Sequence, residues 1–226
     1  MLMSYVHAKM FEEDADRQAA LAIALRSLED GSAEVRRLAL RTVAHLARPG
    51  QEALAAPRLR DAAWPVRWAA VDCVCWLGQA PEALCGAAEL LAERLEDNSW
   101  PVRLAAARAL QRLVAFGRHC DVELELPTAG SSLPKLLLDR FEVRWAAVEL
   151  LELLRGVPEA SRALRSLVED PVAPRPLRSR ALGLLEPSEL QQLLNSEFKE
   201  EVKALQENER AFRCDVKLTL LFHIVY

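Results

Sequence analysis

The chain has 226 residues, 51% of them hydrophobic and 27% charged, and a net charge of −4. That apolar content excludes a disordered chain, 12 Pro and 8 Gly exclude a collagenous one, and no apolar run nears the roughly 18 residues of a membrane span. Five cysteines without framework spacing, and an N-terminus (MLMSYVHAKMFEED) without a secretory layout, point to an intracellular, cytoplasmic protein.

The charge is unevenly placed. Residues 186–210 carry seven acids against Lys199, Lys203 and Arg210, a net of −4, and the remaining 26 acids balance 26 bases. A nucleic-acid binder is expected to show a basic surplus, so nucleic acid is not the expected partner.

Taken in chain order, helical stretches alternate in pairs. AALAIALRSL (19–28) precedes VRRLALRTVAHL (35–46), and EALAAPRL (52–59) precedes VRWAAVDCVCWL (66–77). APEALCGAAELLAERL (80–95) precedes VRLAAARALQRL (102–113), LPKLLL (133–138) precedes VRWAAVELLELL (143–154), and ASRALRSLV (160–168) precedes LRSRALGLL (177–185). The second members start 31, 36, 41 and 34 residues apart, a helical-pair period with variable loops. The longest spacing holds GRHCDVELELPTAGSSLP (117–134), a turn-rich insertion. Ser188 and Gln191 predict a capping box opening one helix with Leu190, Leu193, Leu194, Phe198, Val202 and Leu205 inward. Beyond 205 a tail follows, and in DVKLTLLFHIVY Val216, Leu218, Leu220, Phe222, Ile224 and Tyr226 alternate as in a strand.

In each second helix the apolar positions fall at 0, +3, +4, +7, +8 and +11, one stripe on a 3.6-residue helix. Alanines at +3 and +4 (Ala69 and Ala70, Ala105 and Ala106, Ala146 and Ala147) allow close helix approach. Pro65 and Pro101 mark first turns. So short a helix cannot bury its stripe alone and has to stack on its neighbours.

The recurring pattern Asp-x4-Val-Arg-x2-Ala-Ala-x3-Leu-x2-Leu resembles the HEAT repeat, an α-solenoid module related to armadillo repeats. The resemblance implies an all-α, right-handed solenoid of about five helix pairs over residues 1–205, with a C-terminal helix and an irregular tail over 206–226. It also implies a ladder in which turn aspartates and helix-B arginines bond between adjacent repeats. By position these are Asp30, Asp61, Asp97 and Asp139 with Arg36, Arg67, Arg103 and Arg144. The fifth copy departs, with Asp170 seven residues before Leu177 and three prolines between.

Nothing in the sequence assembles a catalytic, metal or cofactor site. Cys73, Cys75 and Cys85 lack zinc spacing, and Cys73 falls on the packing stripe. No histidine precedes a glutamate, as the iron-binding HEAT hydroxylases require, and no P-loop, dinucleotide fingerprint or serine elbow occurs. HEAT-like DNA glycosylases form the alternative reading, with five tryptophans in its favour and the charge balance against it.

The expected function is a noncatalytic scaffold binding another protein on the concave helix-B face. Positions +2, +6 and +9 lie opposite the stripe and hold Arg37, Arg41 and Ala44, then Trp68, Asp72 and Cys75, then Leu104, Arg108 and Gln111, then Trp145, Glu149 and Glu152. Of these, Arg37, Arg41, Trp68, Asp72, Arg108, Trp145 and Glu149 are the expected partner contacts, grading from basic to acidic. Both tryptophans should be free of the core. The apolar tail is a second expected contact, through self-association.

Overall fold

A computed structural model describes residues 2–122, 124, 129–154, 158–196 and 198–207, with side chains from Asp14 onward except at 129–131 and 158–159. The alternating tail at 216–226 lies outside these residues. Among the described residues every regular element is helical, and the fold is all-α, built of solenoid-type helix pairs. The chain forms two compact units, Met1–Ala129 and Gly130–Tyr226.

In the first unit, α1 (Leu2–Ser27) pairs with α2 (Ala33–Leu46). Two 3-10 turns (Glu52–Leu54 and Ala56–Arg60) pair with α3 (Trp64–Leu77). Pro57 supplies no N–H to an α-helical bond in this stretch, which winds as 3-10 turns rather than as the expected α-helix. Next, α4 (Leu84–Ala92) tightens into a 3-10 turn at Glu93–Glu96 and pairs with α5 (Trp100–His119). The last helix outruns its expected end at 113 because Val114 and Gly117 continue the buried stripe.

The B helices α2, α3 and α5 pack side by side. Val66, Val102, Ala70, Ala106, Leu77 and Leu113 are fully buried, and each large aliphatic chain removed from water contributes about 1.5–3 kcal/mol. Val35, the first stripe residue of α2, is exposed, as is Leu38 at +3. At the end of α3, a Cβ on Gly78 would stand 2.3 Å from Ala87 Cβ, so only glycine lets α3 and α4 approach this closely. Gly50 adopts φ +88°, and its N–H donates to Leu77 O at 2.7 Å, tying the loop after α2 to the end of α3.

The second unit comprises α6 (Ala129–Leu136), α7 (Phe141–Leu153), α8 (Pro158–Glu169), α9 (Arg175–Leu182), α10 (Pro187–Leu194) and α11 (199–207). Helices α7, α8 and α9 pack mutually. The single C-terminal helix expected from Ser188 is two helices, broken where Ser196 Oγ donates to Leu193 O at 2.6 Å and accepts from Phe198 N at 3.3 Å. Its cap is also displaced: Pro187 opens the helix, and Glu189 Oε2 accepts the Glu186 N–H at 3.1 Å. Leu193, Val202 and Leu205 are buried, whereas Leu190, Leu194 and Phe198 are half-buried.

Candidate interaction face

In α2 and α3 the arginine of the Val-Arg pair has two sets of partners. Arg36 Nε and Nη2 donate to the Asp61 carboxylate at 2.8 and 2.9 Å, while its Nη1 donates to the carbonyls of Asp30 and Gly31. Arg67 repeats this geometry one unit later, forking onto Asp97 at 2.8 and 2.9 Å and holding the carbonyls of Asp61 and Ala62. Each arginine thus fastens its own turn to the aspartate of the next. Each aspartate in turn closes an Asx turn, since Asp30, Asp61 and Asp97 accept the N–H of Ser32, Ala63 and Ser99. Arg103 Nη1 donates to Asp97 O at 2.7 Å, Arg144 donates to the carbonyls of Asp139 and Leu138, and Asp139 accepts the Arg140 N–H.

The bond from Arg36 holds the Asp61 carboxyl below the usual carboxylate range. Burial pushes Asp97 upward, but the Arg67 bond, the Ser99 N–H and the arginine charges outweigh it, and its pKa too is lowered. A related arrangement escaped the sequence pattern in the fifth copy. Buried Arg178 donates to Val168 O at 2.9 and 2.6 Å and to Glu201 Oε1 at 2.6 Å, so a glutamate on α11 stands where Arg36 and Arg67 use aspartate. Its signal was the Leu-Arg at 177–178, matching Val-Arg elsewhere.

The exposed face of the B helices differs from the one expected. At about 100° per residue, position +9 lies some 180° from the stripe centre, yet Cys75 there is fully buried, its Sγ 3.6 Å from Ala109 O of α5. The neighbouring B helix occupies that flank. Position +5 (Leu40, Val71, Ala107, Val148) is buried and apolar in every copy, a second stripe that could have signalled this flank. The open face is rotated toward +2, +6 and +10. Position +10 therefore adds His45, Trp76 and Arg112, which the sequence pattern did not single out.

In the first unit this face forms an open trough in two sections. A groove of about 440 Å³ between α2 and α3 is lined by Arg37, Arg41, His45, Trp68, Asp72 and Trp76, among others. A second, of about 540 Å³ between α3 and α5, holds Trp100, Leu104 and Arg108 and shares Trp68, Asp72 and Arg112 with the first. Trp68 and Trp76 are 38% and 57% exposed, unusually open for the largest apolar side chain. Arg37 is engaged by Glu34, and Arg112 Nη2 donates to Asp72 Oδ1 at 2.9 Å. Arg41 and Arg108 are exposed and have no ion-pair partner among the described residues.

Trp145 and Glu149 stand on α7 in the second unit. Trp145 is half-buried rather than free: its Nε1 donates to Glu149 Oε1 at 2.9 Å, and its ring lies 6.0 Å from that of Phe141. Glu152, at +9, accepts from Arg180 of α9.

The remaining candidates for chemistry are dispersed. Among the described residues no three His, Cys, Asp or Glu side chains are grouped to hold a metal ion. Cys73 and Cys75 are buried free thiols, and burial pushes their pKa values up to about 12 and about 11. No described helix is long and apolar enough to cross a membrane.

Helix pairs stacked through their B helices and stitched by arginine–aspartate bonds define an α-solenoid repeat protein. Residues 19–111 match the family model for HEAT repeats, and this segment is a HEAT-repeat array. HEAT repeats serve broadly in protein–protein interaction, through the extended surface that stacking creates. Among solved structures, the chain is similar to an engineered protein from the Northeast Structural Genomics Consortium, with 19% identity and a TM-score of 0.54 over 84% of this chain and 96% of the other. A second engineered protein from the same source gives 19% identity and a TM-score of 0.51 over 84% of this chain and 57% of the other. At that identity the likeness shows the fold alone. The comparison with curated proteins gives no match.

Proposed function

We propose that the chain is a noncatalytic interaction scaffold that binds a partner protein along the helix-B face of α2, α3 and α5. One observation carries this reading: Trp68 and Trp76 lie exposed on two adjoining grooves flanked by Arg41 and Arg108, neither of which has an ion-pair partner among the described residues. Exposed tryptophan beside free arginine is the composition of interface hot spots. The arginine–aspartate bonds serve the scaffold by fixing repeat to repeat, which keeps the trough in register. The buried free thiols suit a reducing, intracellular setting.

The test is affinity capture from native extract with the full chain, the Trp68→Ala/Trp76→Ala variant and an Arg60→Glu control. Partners retained by the wild type and the control but lost from the tryptophan variant support the reading. Equal recovery by all three baits overturns it.

A further inference from the structure

We infer that the trough takes an extended, acidic peptide segment carrying large apolar side chains, presented by the partner protein. The inference rests on the helix-B face being the docking surface and adds the chemistry of what docks there. Three features of the trough select this occupant.

The first is the distribution of uncompensated charge. Four arginines line the trough, but Arg37 is held by Glu34 and Arg112 by Asp72, which leaves Arg41 on α2 and Arg108 on α5. They stand on the two outer helices with α3 between them. A ligand crossing α3 meets a cation at each end and carries acidic groups to suit.

The second is the surface between those cations. Trp68 is common to both grooves, Trp76 borders the first, and Trp100 with Leu104 lines the second. These rings offer flat apolar area to leucine, isoleucine or aromatic side chains at low entropic cost.

The third feature separates a peptide from a nucleic-acid strand, which stacking tryptophans and arginines could also suit. Arg112 in the middle of the trough is already paired with Asp72, so a phosphate backbone crossing α3 finds no unpaired arginine between Arg41 and Arg108. Residues 1–129 carry 15 Lys and Arg against 18 Asp and Glu, so no broad positive field draws a polyanion to the unit. Two local cations match a few carboxylates and fall well short of a phosphate chain.

The experiment selects displayed random linear peptides of about ten residues on the immobilised full chain. Enriched peptides are then measured by fluorescence anisotropy against wild type, Trp68→Ala/Trp76→Ala, Arg41→Glu/Arg108→Glu and Arg60→Glu. The expected peptides are net negative with two or more large apolar residues, and both trough variants weaken them about tenfold or more while Arg60→Glu does not. Lys-for-Glu versions of these peptides should bind the Arg41→Glu/Arg108→Glu variant better than they bind wild type. Circular dichroism melts confirm folding, and the charge-reversal pair is expected to melt as wild type because both residues are exposed and unpaired.

Neutral or basic peptides that still depend on Trp68 and Trp76 overturn the acidic class and leave the face standing. Peptides indifferent to both trough variants overturn the face itself. Failure to enrich any peptide overturns the inference. So does tighter, arginine-dependent binding of a single-stranded oligonucleotide of about twelve nucleotides, or self-association abolished by Arg41→Glu/Arg108→Glu.

Discussion

Arg67 on α3 and Asp97 in the turn before α5 meet through two parallel hydrogen bonds of 2.8 and 2.9 Å, with both side chains more than nine-tenths buried. The remaining terminal nitrogen of Arg67 holds the carbonyls of Asp61 and Ala62, so one guanidinium joins three segments of chain. Lysine has neither the fork nor enough donors to replace it. Arg67→Ala leaves a buried carboxylate and two carbonyls without this partner, and the expected loss is about 3 kcal/mol. Arg41→Ala, on the open face, is expected to change stability by less than about 0.5 kcal/mol. Urea denaturation of both variants checks the contrast, and equal losses would contradict the structural role of the fork.

The same bonds set the response to acid. Asp61 and Asp97 both lie below their ordinary value of 3.8, held there chiefly by the Arg36 bond for Asp61 and by the Arg67 bond, against burial, for Asp97. A carboxylate with a lowered folded pKa binds fewer protons folded than unfolded. Its stabilisation is therefore present above pH ~4 and is lost as pH falls through the folded pKa. The destabilisation caused by Asp97→Asn should shrink markedly between pH 6 and pH 3. Denaturant titrations of wild type and variant at the two pH values measure it, and an undiminished difference at pH 3 would exclude this linkage.

Burial also predicts thiol reactivity. Cys73 and Cys75, with pKa values pushed up to about 12 and about 11, are thiols at neutral pH and closed to solvent, whereas Cys85 is exposed. Iodoacetamide at pH 8 should label Cys85 in the folded protein and reach Cys73 and Cys75 only after denaturation. Peptide mass spectrometry reads the order, and early labelling of Cys75 would contradict its place between α3 and α5.

Gly78 gives a steric prediction. The alanine Cβ would stand 2.3 Å from Ala87 Cβ, so α3 and α4 have to separate, at an expected cost of about 1–3 kcal/mol. Gly31→Ala meets nothing within 4 Å and is the control. Thermal melts of the two variants should differ by several degrees, with Gly78→Ala the lower.

Much of this architecture was legible because it recurs. The Val-Arg starts at 66, 102 and 143 located three B helices, and the aspartates five residues ahead of Val35, Val66 and Val102 located the turns that Arg36 and Arg67 fasten. What recurrence did not convey was which flank each helix turns to its neighbour. A single stripe fixes one contact direction, but a helix inside a stack has contacts on two sides, and the second side hid Cys75 and brought Trp76 and Arg112 to the surface. The break at Ser196 and the Glu201 partner of Arg178 were hidden for a different reason. Both depend on one local side-chain bond in the final units, where no repeat was left to average over.

Local partners divide two tryptophans that share position +2. Trp68 stands open on the trough, with no hydrogen-bond partner or ring contact among the described residues. Trp145 donates to Glu149, touches Phe141 and is half-buried. Truncating Trp68 therefore removes an anchor at less cost to the scaffold: Trp68→Ala should weaken a trough-bound partner by about 1–3 kcal/mol and lower the unfolding free energy by less than Trp145→Ala does. Trp145→Ala forfeits an aromatic contact, a hydrogen bond and part of its burial, for an expected stability loss of about 1–2 kcal/mol. Paired urea titrations and anisotropy measurements on the two variants separate these effects. A Trp68→Ala protein that binds as wild type, or that unfolds as readily as Trp145→Ala, would show that Trp68 belongs to the scaffold and not to the binding face.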